Sequence, residues 1–173
     1  MRLAVIGTSG AGKTTFARQA AARLGCPHVE LDALHWMPGW QERPVEELQT
    51  LAASATAGPC WVVDGNYSSV REIVWSRATA IVWLDFSRAT ILRRVSWRTV
   101  QRVLTREQLW NGNRENLRAL FSKESIILWS LNTFATNRRA YTELHRSNRY
   151  PGLHWHILRN PREAQAFLAG LRR

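Results

Sequence analysis

The chain has 173 residues, 45% of them hydrophobic, and a formal net charge of +11 from 24 basic and 13 acidic side chains. This length suits one domain spanning 1–173 with a full core. No apolar run approaches a membrane span and no basic segment leads into a long apolar one, so a cytoplasmic protein with no membrane partner is expected.

All the basic residues except Lys13 and Lys123 are arginines. Two explanations stand side by side: recognition of phosphates, nucleotides or nucleic acid, or an arginine-rich coding bias. Cys26 and Cys60 are isolated in apolar contexts and read as buried free thiols. The five histidines and two cysteines show no zinc-ligand spacing.

The first element is an apolar run, Leu3 to Ile6, short enough for a buried strand. Gly7, Thr8, Ser9, Gly10, Ala11, Gly12, Lys13, Thr14 and Thr15 follow. They match Gly-x-x-x-x-Gly-Lys-Thr, the P-loop. Residues 14–24 read as a helix with Phe16, Ala20 and Leu24 on one face. Backbone N–H groups in such a loop line an anion site, and the helix N-terminus adds partial positive charge. Lys13 reaches the β- and γ-phosphates and the Thr14 hydroxyl ligates Mg²⁺. ATP or another nucleoside triphosphate, with Mg²⁺, is the expected ligand.

A second strand is expected over Pro27–Asp32, then an aromatic loop, Ala33 to Trp40. A helix is expected over 44–57 and a third strand over Cys60–Asp64, followed by Gly65, Asn66 and Tyr67. A short helix at 68–76, a strand at Ala78–Asp85 and a long helix at 88–105 come next. An Asn-Gly turn interrupts 106–115, helix resumes over 116–145, and Leu153–Leu158 forms the fifth strand. Asn160-Pro161-Arg162-Glu163 opens the last helix with a cap, a proline at the first turn and a glutamate at N3. Alternating strands and helices predict an α/β, three-layer αβα fold with a parallel sheet of about five strands. Ligands of such sheets sit at the carboxyl ends of the strands, where the P-loop, Asp32, Asp64 and Asp85 fall.

Asp64 suits a carboxylate that holds Mg²⁺; the alternative is a turn or capping aspartate. Asp32 suits the acceptor side, orienting a hydroxyl and taking its proton, or else is a turn residue. Arg94, Arg98 and Arg102 are four apart. Like charges at that spacing repel, so the row asks for phosphate or is a solvated face. Residues 106–114 read as a lid that excludes water or a plain connection. Trp36 and Trp40 either stack on a planar or sugar substrate or pack their loop onto the body, and His35 beside them suits a hydrogen-bonding loop residue.

These motifs resemble the adenylate-kinase-like P-loop kinases. More narrowly, Leu31–Trp36, Trp61–Tyr67, Ile81–Asp85 and Leu109–Glu115 are similar to small bacterial proteins labelled DNA topology modulation proteins or adenylate-kinase-related kinases. The resemblance implies a nucleoside monophosphate kinase type of fold with a helical lid near 98–118. It implies donor-binding roles for Arg94 and Arg98, nine and thirteen residues after Asp85, and an Mg²⁺-associated role for Asp64. It places Asn160 beside the adenine. The family's two acceptor-phosphate arginines fall here on Ser68 and His35, with Arg71 or Arg77 as the substitutes within reach in sequence.

The resulting expectation is an ATP- and Mg²⁺-dependent phosphotransferase with an unidentified acceptor other than an ordinary nucleoside monophosphate. Lys13, Asp32, Arg94 and Arg98, with Arg106 or Arg114 from the lid, are its candidate catalytic residues. Asp32, His35, Trp36, Asn66, Tyr67 and Arg71 are its candidate acceptor residues, and Thr14 and Asp64 its metal ligands. The competing class is a nucleic-acid-associated P-loop NTPase or DNA-binding protein. No helix-turn-helix, zinc finger or RNP motif supports it.

Overall fold

The computed structural model describes residues 1–105, 110–113 and 126–172. Arg106, Arg114, the start of the helix expected at 116–145 and much of the expected lid lie outside them.

Five parallel strands form the sheet in the order β2-β5-β1-β6-β7. They are β1 (Arg2–Gly7), β2 (His28–Glu30), β5 (Trp61–Asp64), β6 (Ala80–Leu84) and β7 (His154–Leu158). A separate antiparallel ribbon joins β3 (Trp36–Met37) to β4 (Gln41–Glu42). The helices are α1 (Lys13–Leu24), α2 (Leu31–His35), α3 (Val45–Ala55), α4 (Ser68–Trp75), α5 (Arg88–Thr105), α6 (Ile126–Arg146) and α7 (Pro161–Gly170). No helix among the described residues is long and apolar enough to cross a membrane.

Sheet strands buried on both faces read as continuous apolar runs. In β1, Leu3 and Val5 join one core with Val62, Val82, Phe16 and Ala20. Ala4 and Ile6 point the other way, into a core with Trp61, Val63, Leu48, Val74 and Tyr141. Helices therefore cover both faces, giving the three layers.

The register sets up one edge. Glu30 is opposite Asp64, Asp64 opposite Val5, and Gly7 opposite Leu84. The carboxyl ends of β2, β5, β1 and β6 thus meet beside the loop of residues 8–12.

Two local expectations change. The second strand stops at Glu30, and Asp32 lies in the short helix α2 rather than at a strand end. Leu31 is the cause: it is buried, and its side chain lies against Gly65, where an added Cβ would sit 2.7 Å from the Leu31 Cβ. Gly65 at φ 137 leaves that space. The stretch Ala33–Trp40 is not a free loop. It forms the end of α2, strand β3 and a tight turn at Pro38–Trp40.

The two cysteines depart from the expectation as well. Both are half-exposed, and they lie beside each other rather than apart.

Candidate active site

The site grows from the β1–α1 turn. Gly12 caps α1 in the left-handed region, at φ 90, and an added Cβ there would meet an Arg94 guanidinium nitrogen at 3.0 Å. A glycine is needed both for that backbone conformation and for the close approach of Arg94. Arg94 donates from Nη1 to the Ala11 carbonyl at 2.8 Å. Its guanidinium carbon lies 5.1 Å from the Phe86 ring centroid, a cation–π contact. Helix α5 therefore lays Arg94 directly on the loop. Arg98, one turn on, is near enough for its charge to act on Lys13. Asn66 holds the loop's entrance: its amide donates to the Gly7 carbonyl at 2.6 Å and its oxygen accepts from the Gly7 N–H at 3.4 Å.

Lys13 Nζ donates to the Thr8 carbonyl at 3.3 Å. Burial pulls its pKa below the usual lysine range, while Asp32 and Asp64 act in the opposite direction. Both carboxylates thus act on one ammonium.

Thr14 Oγ1 donates to Asp64 Oδ2 at 2.7 Å and lies 3.2 Å from Glu30 Oε1. Asp64 is 2% exposed, and its other oxygen meets His28 Nε2 at 2.7 Å. Burial raises the pKa of Glu30. Asp64 beside it adds to the rise, and hydrogen bonds from Trp110 and Thr14 oppose it.

This corner is a set of hard oxygen donors. Mg²⁺ prefers such donors and is commonly held by one or two protein oxygens plus phosphates and water. Among the described residues no three His, Cys, Asp or Glu side chains form a metal cluster, so a metal here would depend on the nucleotide for its remaining ligands. Thr14 and Asp64 fit that ion.

Sequence reasoning missed His28 and Glu30. The signal was present: they are two apart on a short strand, so they share one face, and that strand lies next to the one ending in Asp64.

Among the residues expected to meet the acceptor, Tyr67 donates its hydroxyl to Asp32 Oδ1 at 2.6 Å. Burial, then the charge of Asp32 and this hydrogen bond, raise the phenol's pKa. Tyr67 therefore keeps its proton and orients the carboxylate. The His35 ring lies 4.4 Å from the Tyr67 ring and 4.7 Å from that of Trp36. Trp36 meets Trp40 edge-on at 5.5 Å, and Trp40 meets Trp110 at 6.3 Å. Arg71 lies over Trp75, its guanidinium carbon 5.4 Å from the ring. It lines a cleft with Asn66, Tyr67, Val70 and Tyr141.

The described part of the expected lid is joined to this wall. Asn113, 5% exposed, accepts from the Trp40 N–H at 3.0 Å and donates to the Met37 carbonyl at 2.9 Å. Asn111 donates to the Trp36 carbonyl. Trp40 and Asn111 both hold positive φ, 59° and 54°, conformations that cost non-glycine residues free energy. The hydrogen bonds between the two segments stabilise them.

Asp85 pairs with Arg138 at 2.9 Å. Asn160 caps α7, accepting from the Glu163 N–H at 3.0 Å, while Glu163 accepts from the Arg159 N–H at 2.7 Å. This is a variant of the capping box, with the glutamate closing on the N–H one residue before the cap, and it lies at the same sheet edge as the loop.

No family model matches the chain, and no curated protein matches it in sequence. Among solved structures, a gluconokinase from Sinorhizobium meliloti 1021 superposes with a TM-score of 0.52 at 20% identity, covering 96% of this chain and 90% of that one. An unliganded sugar kinase from Janibacter sp. HTCC2649 gives 0.49 at 20% identity, covering 96% and 91%. With its five-stranded parallel sheet and phosphate-type loop, the chain has a gluconokinase-like P-loop kinase fold.

Proposed function

We propose that this protein is an ATP-dependent phosphotransferase whose acceptor presents a hydroxyl group. The observation that carries the reading is that the charges of two carboxylates act on Lys13: Asp64, which accepts from Thr14, and Asp32, which accepts from the Tyr67 hydroxyl. One carboxylate serves the donor side and the other is left for the acceptor.

The chemistry follows from these positions. The amides of residues 8–14 and Lys13 hold the triphosphate, and Arg94 and Arg98 place positive charge where negative charge spreads over the transferring group. Thr14 and Asp64 would hold Mg²⁺, which when bound neutralises phosphate charge and fixes its orientation. The acceptor hydroxyl gives its proton to Asp32 as its oxygen attacks phosphorus. Tyr67, donating to Oδ1 of Asp32, leaves Oδ2 to receive that proton. The wall of Trp36, Trp40 and Trp110 limits water, the competing acceptor. Arg106 and Arg114 remain proposed contributors of charge from the lid.

The charge distribution supports a non-anionic acceptor. Glu30, Asp32, Glu42, Glu46, Glu47 and Asp64 fall within residues 28–64, where Arg43 is the single Lys or Arg. Arg43 is engaged with the Leu34 carbonyl at 2.7 Å and with Glu47 at 3.2 Å. Residues 28–64 are therefore acidic within a basic protein, and Arg71, the base that lines the cleft, lies over the Trp75 ring; the acidic segment disfavours a phosphate or carboxylate guest. Ser68 and His35, standing where adenylate kinases carry arginines, agree with this. The narrower resemblance to the DNA topology modulation group adds no acceptor.

The test is a coupled ADP-release screen across nucleosides, nucleotides, sugars, amino alcohols and oligonucleotides. A neutral or cationic hydroxyl compound that stimulates ADP release and gains a phosphate supports the reading. Preference for a nucleoside monophosphate or another anion would overturn it.

A further inference from the structure

At the edge of the sheet opposite the P-loop, the cysteines flank the acceptor segment. Cys26 follows α1 and precedes β2; Cys60 precedes β5. The β2–β5 register pairs His28 with Val62, and the Val62 N–H donates to the Pro27 carbonyl at 2.9 Å. Parallel pairing thus continues back beyond the strand proper, and two residues earlier Cys26 comes opposite Cys60. Adjacent strands run about 4.8 Å apart, inside the Cα separation of roughly 4.4–6.8 Å that a disulfide spans.

The faces agree too. Side chains alternate along a strand. Trp61 and Val63 enter the core under α3 and α4, and Val29 packs against that same core. Cys60 and Cys26, each an odd number of positions away from these, share the α1 face. Cys26 indeed packs against the α1-side core. Its Sγ lies 3.8 Å from the Leu24 carbonyl and 4.0 Å from that of Met1, and its thiol is in hydrogen-bond contact with that of Cys60. Both residues are half-exposed and free.

We propose that Cys26 and Cys60 form a dithiol modification site, closed to an intramolecular disulfide by a low-molecular-weight disulfide. One thiolate attacks a sulfur of the small disulfide, giving a mixed disulfide and expelling one small thiolate. The second cysteine, as thiolate, attacks the protein sulfur of that mixed disulfide and expels the other. Two protein thiols are oxidised, one small disulfide is reduced to two thiols, and the two protons end on the expelled thiols. The bond would join the two ends of the segment carrying Glu30, Asp32, Trp36 and Trp40, closing it as a loop at its base. Burial first, and the neighbouring thiol second, push Cys26 up to about 11, so its thiolate is scarce at neutral pH. Closure is therefore slow at pH 7 and accelerates as pH rises.

The experiment treats the full-length protein with glutathione disulfide at pH 7, 8 and 9, quenches with an alkylating reagent and reads intact and peptide masses. The expected product has lost two hydrogens, takes no alkyl group and yields the Cys26 and Cys60 peptides as one cross-linked species, fastest at pH 9. Cys26→Ser is expected instead to hold a single glutathione adduct at Cys60. Stable glutathione adducts on the wild-type protein, or two alkylated thiols after treatment at pH 9, would overturn the proposal.

Discussion

The proposed donor end and the proposed acceptor end of the cleft are built in different ways. The donor end is local. Residues 7–14 form one turn between β1 and α1, and most of what they offer is backbone N–H plus one lysine and one hydroxyl. Long-range help comes from Asn66 on Gly7, Arg94 on Ala11 and Asp64 on Thr14, each of which positions a loop already shaped by its own glycines. The acceptor end has no such local unit. Asp32 comes from α2, Tyr67 from the β5–α4 connection, Trp36 and Trp40 from the ribbon, and Trp110 to Asn113 from more than seventy residues downstream. A donor site made of backbone suits a ligand whose triphosphate is fixed. An acceptor site made of side chains from separate segments can change its ligand by substitution without disturbing the loop.

Substitutions that separate the two ends test this division. Lys13→Ala should have the largest effect, loss of measurable turnover together with loss of triphosphate binding, read by calorimetry with Mg·ATP. Retained tight Mg·ATP binding would break the donor assignment. Asp32→Asn should lower kcat by about 10²–10⁴-fold while Mg·ATP affinity stays within about twofold. The size of that difference measures how independent the two ends are, and unimpaired transfer would remove Asp32 from the mechanism.

Asn113→Ala leaves the Trp40 N–H and the Met37 carbonyl without their partner. Losing buried hydrogen bonds of this kind costs about 1–3 kcal/mol. That predicts a lower Tm and an acceptor KM raised by about 5- to 100-fold, with Mg·ATP binding little changed. An equal loss of nucleotide affinity would show that the clasp serves the donor as well. Tyr67→Phe should give the mildest change. It keeps the ring under His35 and removes one hydrogen bond to a carboxylate, worth about 1.5–3 kcal/mol at most. The expected fall in kcat is about 10-fold with Tm and Mg·ATP affinity unchanged, a pattern that a packing defect would not produce.

The legibility of the site followed the same division. Thr14 and Asp64, which meet at 2.7 Å, could be singled out because each ends a short pattern: a glycine loop into a helix, an apolar strand into Asp-Gly. His28 and Glu30 were overlooked because their shared face becomes meaningful only once the β2–β5 register sets it beside Asp64. Asp32 was readable as a carboxylate near the sheet edge, but its place in α2 depended on Leu31 turning inward against Gly65. Tyr67 stood in a recognisable motif, yet its role is defined by Asp32, thirty-five residues earlier. The cysteines look unrelated in the chain and become neighbours through the β2–β5 register.

The sequence by itself determined the layered α/β fold and the phosphate loop. Apolar runs of four or five residues must be buried on both faces, and the Gly-x-x-x-x-Gly-Lys-Thr pattern carries its backbone geometry within eight positions. Only the tertiary structure decided what lies around Asp32: the Tyr67 hydroxyl, the tryptophan wall and the Asn113 clasp. Those contacts join segments whose separation along the chain leaves no periodic trace, and they form once the sheet register has fixed which strand ends stand side by side.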